Sequence, residues 1–177
     1  MISFRHWVPL GLFLVIGLVL WKGLHQDPRK LKSTLIGRSF PAFQAPALQA
    51  DKVVTEKDWR GRVVVLNVFS SWCLSCQIEH PVLMELSRQS SALWVGLDYM
   101  DDQAAAVDFL RSRGSPFEQV LQDPEGKLAI NLGVYGVPET FVIDKKGVIR
   151  YRHAGPLTDA IWQQELKPLL ARLRSSS

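Results

Sequence analysis

Residues 67–80 read N-V-F-S-S-W-C-L-S-C-Q-I-E-H and hold both cysteines of the chain, Cys73 and Cys76. Residues 63–69 (V-V-V-L-N-V-F) form a short β-branched and aromatic run, the pattern of a central strand. Residues 77–89 then carry Ile78, Val82, Leu83 and Leu86 at helical spacing. The two cysteines are therefore expected where a strand turns into a helix. Positions i and i+3 share a face there, so the sulfurs can close a small disulfide ring. The unpaired N–H groups and the dipole of a helix start favour a thiolate on the first cysteine. Cys73 is then the attacking sulfur and Cys76 the more buried resolving one. The competing readings are a structural disulfide and half of a zinc site. Tetrahedral zinc needs four ligands; the chain has only two cysteines, and its four histidines are scattered. Redox dithiol chemistry, with no metal and no cofactor, is the favoured reading.

The chain has 177 residues and a net charge of +4, enough length for one good core. Residues 1–32 hold Arg5, Lys22, Arg29, Lys30 and Lys32 against Asp27 alone, which accounts for the whole +4. The remaining residues balance, so there is no basic surplus from which to infer nucleic-acid binding. Residues 7–21 (W-V-P-L-G-L-F-L-V-I-G-L-V-L-W) are uncharged and almost wholly apolar. Extended to residue 24, with Lys22 snorkelling, the stretch reads as a single transmembrane anchor with tryptophans at its interfaces. No small-x-small cleavage site follows it, which argues against a removed signal peptide. Lys and Arg are more numerous after the anchor than before it, and that count alone would keep the following domain in the cytoplasm. The expected organisation is a short cytoplasmic end over 1–6, an anchor over 7–24, a linker over 25–38 and one domain over 39–177.

Within that domain, residues 39–50 are expected to cover a sheet with extended segments, 53–55 to form a short strand and 56–61 a helical turn. A second buried strand is read over 93–97. The acidic loop 98–102 leads into a helix capped by Asp102, running to residue 113 with Ala105, Phe109 and Leu110 inward and Gly114 as its stop. Residues 117–121 read as an extended segment, and 128–132 as a brief helix or irregular stretch with Leu128, Ile130 and Leu132. Residues 140–143 and 148–153 form a hairpin around the turn 145–147. A last helix starts at the cap Thr158 and runs to about residue 172, with Ile161, Trp162, Leu166 and Leu169 or Leu170 inward. Pro168 should kink or interrupt it. The order β-α-β-α-β-β-α predicts an α/β fold, a mixed sheet with helices on both faces.

A strand, then W-C-x-x-C, then a helix, with a later Val-Pro before a hairpin and a final helix, resembles the thioredoxin fold. The blocks N-V-F-S-S-W-C-L-S-C-Q-I-E-H, G-L-D-Y, G-V-Y-G-V-P-E-T-F-V-I-D and G-V-I-R-Y-R-H-A-G-P-L narrow the match. Over residues 36–170 the chain resembles the CcmG/DsbE family, membrane-anchored thiol:disulfide interchange proteins of bacterial cytochrome c maturation. The resemblance implies a thioredoxin-like domain facing the periplasm on a single-pass inner-membrane anchor, against the Lys/Arg count. It implies a transmembrane reductant of DsbD/CcdA type, and as substrate apocytochrome c or a partner thiol protein of the same pathway. It also implies that Pro138 is cis and packs beside the dithiol. Three positions depart from the family: Leu74-Ser75 between the cysteines, where proline is usual at the first place; Asp98, where Asn is expected; and Met100, where Lys is expected.

The family position that often carries a buried Asp, six residues before the first cysteine, is Asn67, which cannot act as a base. Glu79, one helical turn after Cys76, is the expected proton relay for the resolving thiol, with Glu139 beside Pro138 as the second candidate; a solvated helix residue is the bland alternative for Glu79. Trp72 is expected to shield the dithiol face. Tyr135, Val137 and Pro138 are expected to form the opposite wall of a groove, where the Val137 backbone pairs with an extended substrate. His80 and His153 would matter as ligands only if the fold brought them to the cysteines. Two other functions fit the same residues less well. One is a general anchored reductase for other exported proteins. The other is a non-catalytic copper-binding assembly factor, which the C-x-x-C spacing disfavours. A thiol peroxidase finds no support in a W-C-x-x-C dithiol.

Overall fold

The structure, a computed structural model, describes residues 7–24 and 35–175. It divides into two compact units, Met1–Lys32 and Ser33–Ser177. In the first, helix α1 spans Trp7–Leu24, eighteen residues with Leu12 through Trp21 carrying exposed apolar side chains. A helix thus forms where the anchor was expected. At about 1.5 Å per residue it is about 27 Å long, just under a hydrocarbon core of roughly 30 Å. Among the described residues no helix is long and apolar enough to cross a membrane. The expected cytoplasmic end over 1–6 and most of the expected linker lie outside the described residues. Residues 35–38 of that linker are bonded into the second unit, because Gly37 N–H donates to Ile149 O at 2.8 Å and Ile149 N–H to Arg38 O at 2.9 Å.

The second unit is built on a five-stranded sheet. Its strands are β3 (Val64–Phe69), β4 (Leu93–Tyr99), β5 (Gln119–Asp123), β6 (Glu139–Ile143) and β7 (Ile149–Ala154), in the order β5-β4-β3-β6-β7. β3 is central, parallel to β4 and antiparallel to β6. All six of its residues are buried, as a strand covered on both faces requires. Its alternation splits the core in two. Val64, Leu66 and Val68 face Phe40, Phe43, Trp59, Leu128 and Leu132. Val65 and Phe69 face Leu83, Leu86, Phe109, Trp162 and Leu166. On the first side an N-terminal hairpin, β1 (Gln44–Pro46) with β2 (Val53–Thr55), and a 3₁₀ turn over Glu56–Trp59 cover the sheet as expected. Phe40, Phe43 and Trp59 interlock there with ring centroids 4.9–5.8 Å apart.

Helices α2 (Leu74–Arg88) and α3 (Gln103–Arg113) pack on the second side, and α4 (Lys127–Asn131) on the first. Asp102 caps α3 by accepting Ala105 N–H at 3.0 Å. The interior residues of α3 are Ala106, Phe109 and Leu110. Ala105 is exposed, because the buried stripe is the 106-109-110 triplet of a 3.6-residue repeat. In α4 Leu128 and Ala129 turn inward, as does Leu132 at its C-cap, whereas Ile130 is exposed. Helical rotation, not strand alternation, sets that pattern. The segment expected over 117–121 pairs two residues later: Phe117 is buried by stacking on Phe69 at 5.2 Å, and the ladder begins at Gln119. The backbone bonds to β4 already at Glu118, whose N–H donates to Trp94 O at 2.9 Å.

The C-terminal helix begins at the cap Thr158, whose hydroxyl accepts Ile161 N–H at 3.3 Å. It runs as α5 (Asp159–Ile161), a π turn over Trp162–Leu166, and α6 (Lys167–Ser175). The interruption expected at Pro168 falls just before it. Proline has no N–H for the α-helical ladder, and Lys167 N–H reaches back five residues to Trp162 O.

Candidate functional site

The site lies at the C-terminal end of β3. Residues 70–73 leave the strand, and Cys73 is the N-cap of α2. Its Sγ accepts the Cys76 N–H at 3.2 Å. Its thiol points across to Val137 O at 3.5 Å. Both cysteines are free and buried, so the structure holds the dithiol state. Cys76 lies deeper, and burial first, then its hydrogen bond to Cys73, pushes its thiol well above the ordinary value, with Glu79 adding to the rise. A thiol that resists ionisation inside the fold, next to one open to the helix start, is the asymmetry a two-step exchange uses.

The opposite wall is the turn before β6. The Val137–Pro138 peptide is cis. Pro138 is buried, Val137 half-buried and Tyr135 75% exposed. Trp72, on the near side, is 59% exposed rather than core, and Leu74 is 70% exposed. Trp72 Nε1–H donates to Met100 O at 3.1 Å. Met100 has φ +48, a left-handed conformation unusual for a residue with a side chain. The exposed Trp72, Leu74, Met100 and Tyr135 are the large apolar groups of segments 72–74, 100 and 135 that frame the buried sulfurs.

Glu79 is the largest departure from the sequence pattern. The buried face of α2 is Cys76, Glu79, His80, Leu83 and Leu86, while Ile78 is exposed. Of the expected inward set, Leu83 and Leu86 are buried and Val82 packs partly against the same core, whereas Ile78 is exposed. Apolar spacing misleads here because two polar residues occupy the buried stripe. Glu79 is 1% exposed. One carboxyl oxygen accepts Leu157 N–H at 2.8 Å. Oε2 has no hydrogen-bond partner among the described residues, and neither has Oδ1 of Asn67. Asn67 donates from Nδ2 to Thr140 Oγ1 at 3.1 Å. Burial lifts the Glu79 carboxyl to about 7, with the Leu157 N–H and Asn67 pulling the other way.

Glu139 is placed differently. Arg152 holds it in a bidentate pair, Nε to Oε2 at 2.8 Å and Nη2 to Oε1 at 3.2 Å, with both side chains largely buried. Tyr135 N–H donates to the same carboxylate at 3.3 Å, and Arg152 Nη2–H donates to Gly133 O at 2.7 Å. A carboxylate that accepts from a guanidinium and a backbone amide at three points braces the 133–138 turn. Arg152 also stands over the Tyr135 ring at 5.5 Å. His80 is buried, with Nε2 at 2.9 Å from Gly114 O and its ring edge-on to Phe109. Burial lowers its pKa. His153 lies on β7 opposite Thr140 of β6. Among the described residues no group of three or more His, Cys, Asp or Glu side chains is arranged to hold a metal ion.

The support beneath the W-C-x-x-C loop was not read from sequence. Asp101 accepts the N–H of Ser71, the Ser71 hydroxyl at 3.0 Å and the Asp102 N–H at 2.9 Å. Ser70 Oγ–H donates to Tyr99 O, and Gln77 Nε2–H to Ser71 O at 2.8 Å. The acidic run after G-L-D-Y was the available signal, but acidic loops at strand ends are usually solvated.

The family model whose description is Redoxin matches residues 35–167. The chain is 45% identical to the thiol:disulfide interchange protein DsbE of Pseudomonas fluorescens biotype C, over 90% of this chain and 89% of that protein. It is 41% identical to the DsbE of Escherichia coli K12, over 92% of this chain and 91% of that one. Among solved structures, a protein described as a thiol:disulfide interchange protein DsbE from Chlorobium tepidum superposes with a TM-score of 0.66 at 29% identity, covering 76% of this chain and 97% of the other. The fold is thioredoxin-like.

Proposed function

The chain belongs to the Redoxin family and, within it, to the DsbE (CcmG) thiol:disulfide oxidoreductases, and from that premise we propose that it reduces a disulfide of apocytochrome c, or of a partner thiol protein, so that haem can attach to free thiols. The observation that carries the reading is the dithiol at the start of α2 facing a cis-proline wall, in a chain more than 40% identical to DsbE proteins over nine-tenths of its length. The Cys73 thiolate attacks one sulfur of the substrate disulfide, and the other leaves as a thiolate. Cys76 gives up its proton and attacks Cys73 Sγ, the substrate's second thiolate leaves, and Cys73–Cys76 remains as the disulfide. Two electrons pass from the dithiol to the substrate. Glu79 takes the Cys76 proton; a carboxyl poised near 7 exchanges protons readily at neutral pH. Trp72, Tyr135, Val137 and Pro138 form the groove, where the substrate strand lies along the Val137 backbone.

The anchor in this reading is helix α1, uncharged from Trp7 to Trp21 and just under the hydrocarbon thickness in length. The domain faces the periplasm, and a transmembrane thiol reductant of DsbD/CcdA type regenerates the dithiol. The test is to replace Cys76 by Ala and identify the proteins held on Cys73 as mixed disulfides. Apocytochrome c or one of its maturation partners is the expected catch. A broad set of exported thiol proteins would instead establish a general anchored reductase. Replacing Cys73 by Ser should abolish c-type cytochromes and leave other exported thiol proteins oxidised and reduced as before.

A further inference from the structure

The two walls of the groove come from separate segments, Trp72 with Met100 on one side and residues 133–138 on the other. One buried residue bonds to the supports of both. Asp123 closes β5 opposite Tyr99 of β4 and is 6% exposed. Its backbone oxygen accepts Met100 N–H at 3.1 Å and Gly126 N–H at 3.0 Å. Its carboxyl accepts Leu128 N–H on Oδ1 at 3.2 Å and Ala129 N–H on Oδ2 at 2.8 Å. Helix α4 depends on that carboxyl. Its N-cap is Gly126, which offers no side-chain acceptor, and the first N–H groups of a helix have no partner within it.

From Asp123 a short series of bonds runs to each wall. On the near side, Met100 puts its N–H on Asp123 O and its own oxygen on the Trp72 indole N–H at 3.1 Å. The left-handed backbone of Met100 aims the two groups that way. Gly126 admits the close approach, since a Cβ there would lie 2.9 Å from Tyr99 Cε2 and 3.3 Å from Met100 Cγ. On the far side, Ala129 O accepts Val134 N–H at 2.9 Å and Ile130 O accepts Gly133 N–H at 2.8 Å, so α4 leads directly into the 133–138 turn. That turn ends at the cis Val137–Pro138 peptide, where Val137 O faces Cys73 Sγ at 3.5 Å.

We propose that Asp123 is a positioning residue for the exchange reaction: it ties the Trp72 wall to the Tyr135–Pro138 wall and so sets the width of the groove for an extended peptide. Its four bonds serve the supports of the groove, so its effect is on binding rather than on the sulfur chemistry. A peptide that lies along the Val137 backbone and meets Trp72 and Tyr135 together needs both walls at their spacing. A small disulfide needs only the sulfurs. Asp123→Ala keeps the backbone bonds to Met100 and Gly126, and it strips the acceptor from the two N–H groups that hold α4 and the far wall.

The inference rests on the thiol–disulfide reading of Cys73 and Cys76, and its test is independent of the physiological substrate. The full chain and its Asp123→Ala variant are given two probes, hydroxyethyl disulfide and a disulfide-closed peptide extended on both sides. The KM for the peptide is expected to rise about tenfold, the scale of one lost buried hydrogen bond. The peptide kcat is expected to stay within about twofold, and kcat/KM for hydroxyethyl disulfide to fall less than that for the peptide. Trp72→Phe removes the indole N–H. It should raise the peptide KM in the native chain and add less than that factor in Asp123→Ala, because the walls are then already uncoupled. Equal losses on the two probes, or factors that simply multiply in the double variant, overturn the proposal. Reduction of hydroxyethyl disulfide by all variants leaves the dithiol reading standing whatever the peptide shows. Should Asp123→Ala fail to fold by circular dichroism, Asp123→Asn keeps one side-chain oxygen as acceptor and is expected to give a smaller rise in peptide KM. An unchanged peptide KM there overturns the proposal equally.

Discussion

At the scale of single residues, the two glutamates read from sequence as alternatives for one task do different things. Glu79 is a buried carboxyl with one bonded and one unbonded oxygen, and Glu139 is the locked half of an ion pair. Glu79→Gln keeps an acceptor for Leu157 N–H and removes the proton exchange. The expected outcome is slower release of substrate from the mixed disulfide and loss of a rate inflection near pH 7, measured by quenched-flow resolution of a Cys73 adduct. The same residue sets a pH dependence of stability. Its folded-state value of about 7 lies above the ordinary 4.5, so the native state binds the extra proton. Stability is full below about pH 4.5 and declines as pH rises toward 7. At about 1.36 kcal/mol per pKa unit, the decline is on the order of 3 kcal/mol. Urea unfolding at pH 5 and pH 8 should reveal a drop in the native chain that is absent in Glu79→Gln. Arg152→Ala leaves the Glu139 charge buried and alone, and should destabilise by about 3–5 kcal/mol. It should also release Tyr135, seen as faster proteolysis of the 133–138 turn.

At the scale of elements, the sheet sets how closely the site's supports can approach. Gly96 in the middle of β4 has no room for a side chain: a Cβ there would meet Phe117 at 2.8 Å and Phe69 at 2.9 Å. Those rings stack on each other and back the strand end that leads to Ser70. Gly96→Ala is expected to cost about 1–3 kcal/mol through overpacking, measured as a lower urea midpoint. The short-range signals of each element were legible: the Asp102 and Thr158 caps, the Gly114 stop and the effect of Pro168 on the last helix all depend on groups within a turn or two. The face each helix buries was less legible. In α2 the apolar stripe includes an exposed Ile78 and leaves out a buried Glu79 and His80. In α3 it differs by one residue.

At the scale of the whole molecule, the two units have separate sequence characters, with the net positive charge confined to residues 1–32. The second unit carries both core clusters and the dithiol. Residues 33–177 alone are therefore expected to fold and to reduce a model disulfide at the full chain's rate, checked by circular dichroism and a dithiothreitol-coupled insulin assay. What the sequence determined by itself was the strand–dithiol–helix junction, the mixed sheet with its hairpin and last helix, and the family. These rest on local periodicity, caps and contiguous motifs. What only the tertiary structure decided was the environment of each charged group. Glu79 meets Leu157, 78 residues away; Ser71 meets Asp101, 30 residues away; Cys73 meets Val137, 64 residues away. A carboxyl's charge state depends on burial and on which donors reach it, and in this chain those donors come from distant segments that share a neighbourhood only after the sheet has formed.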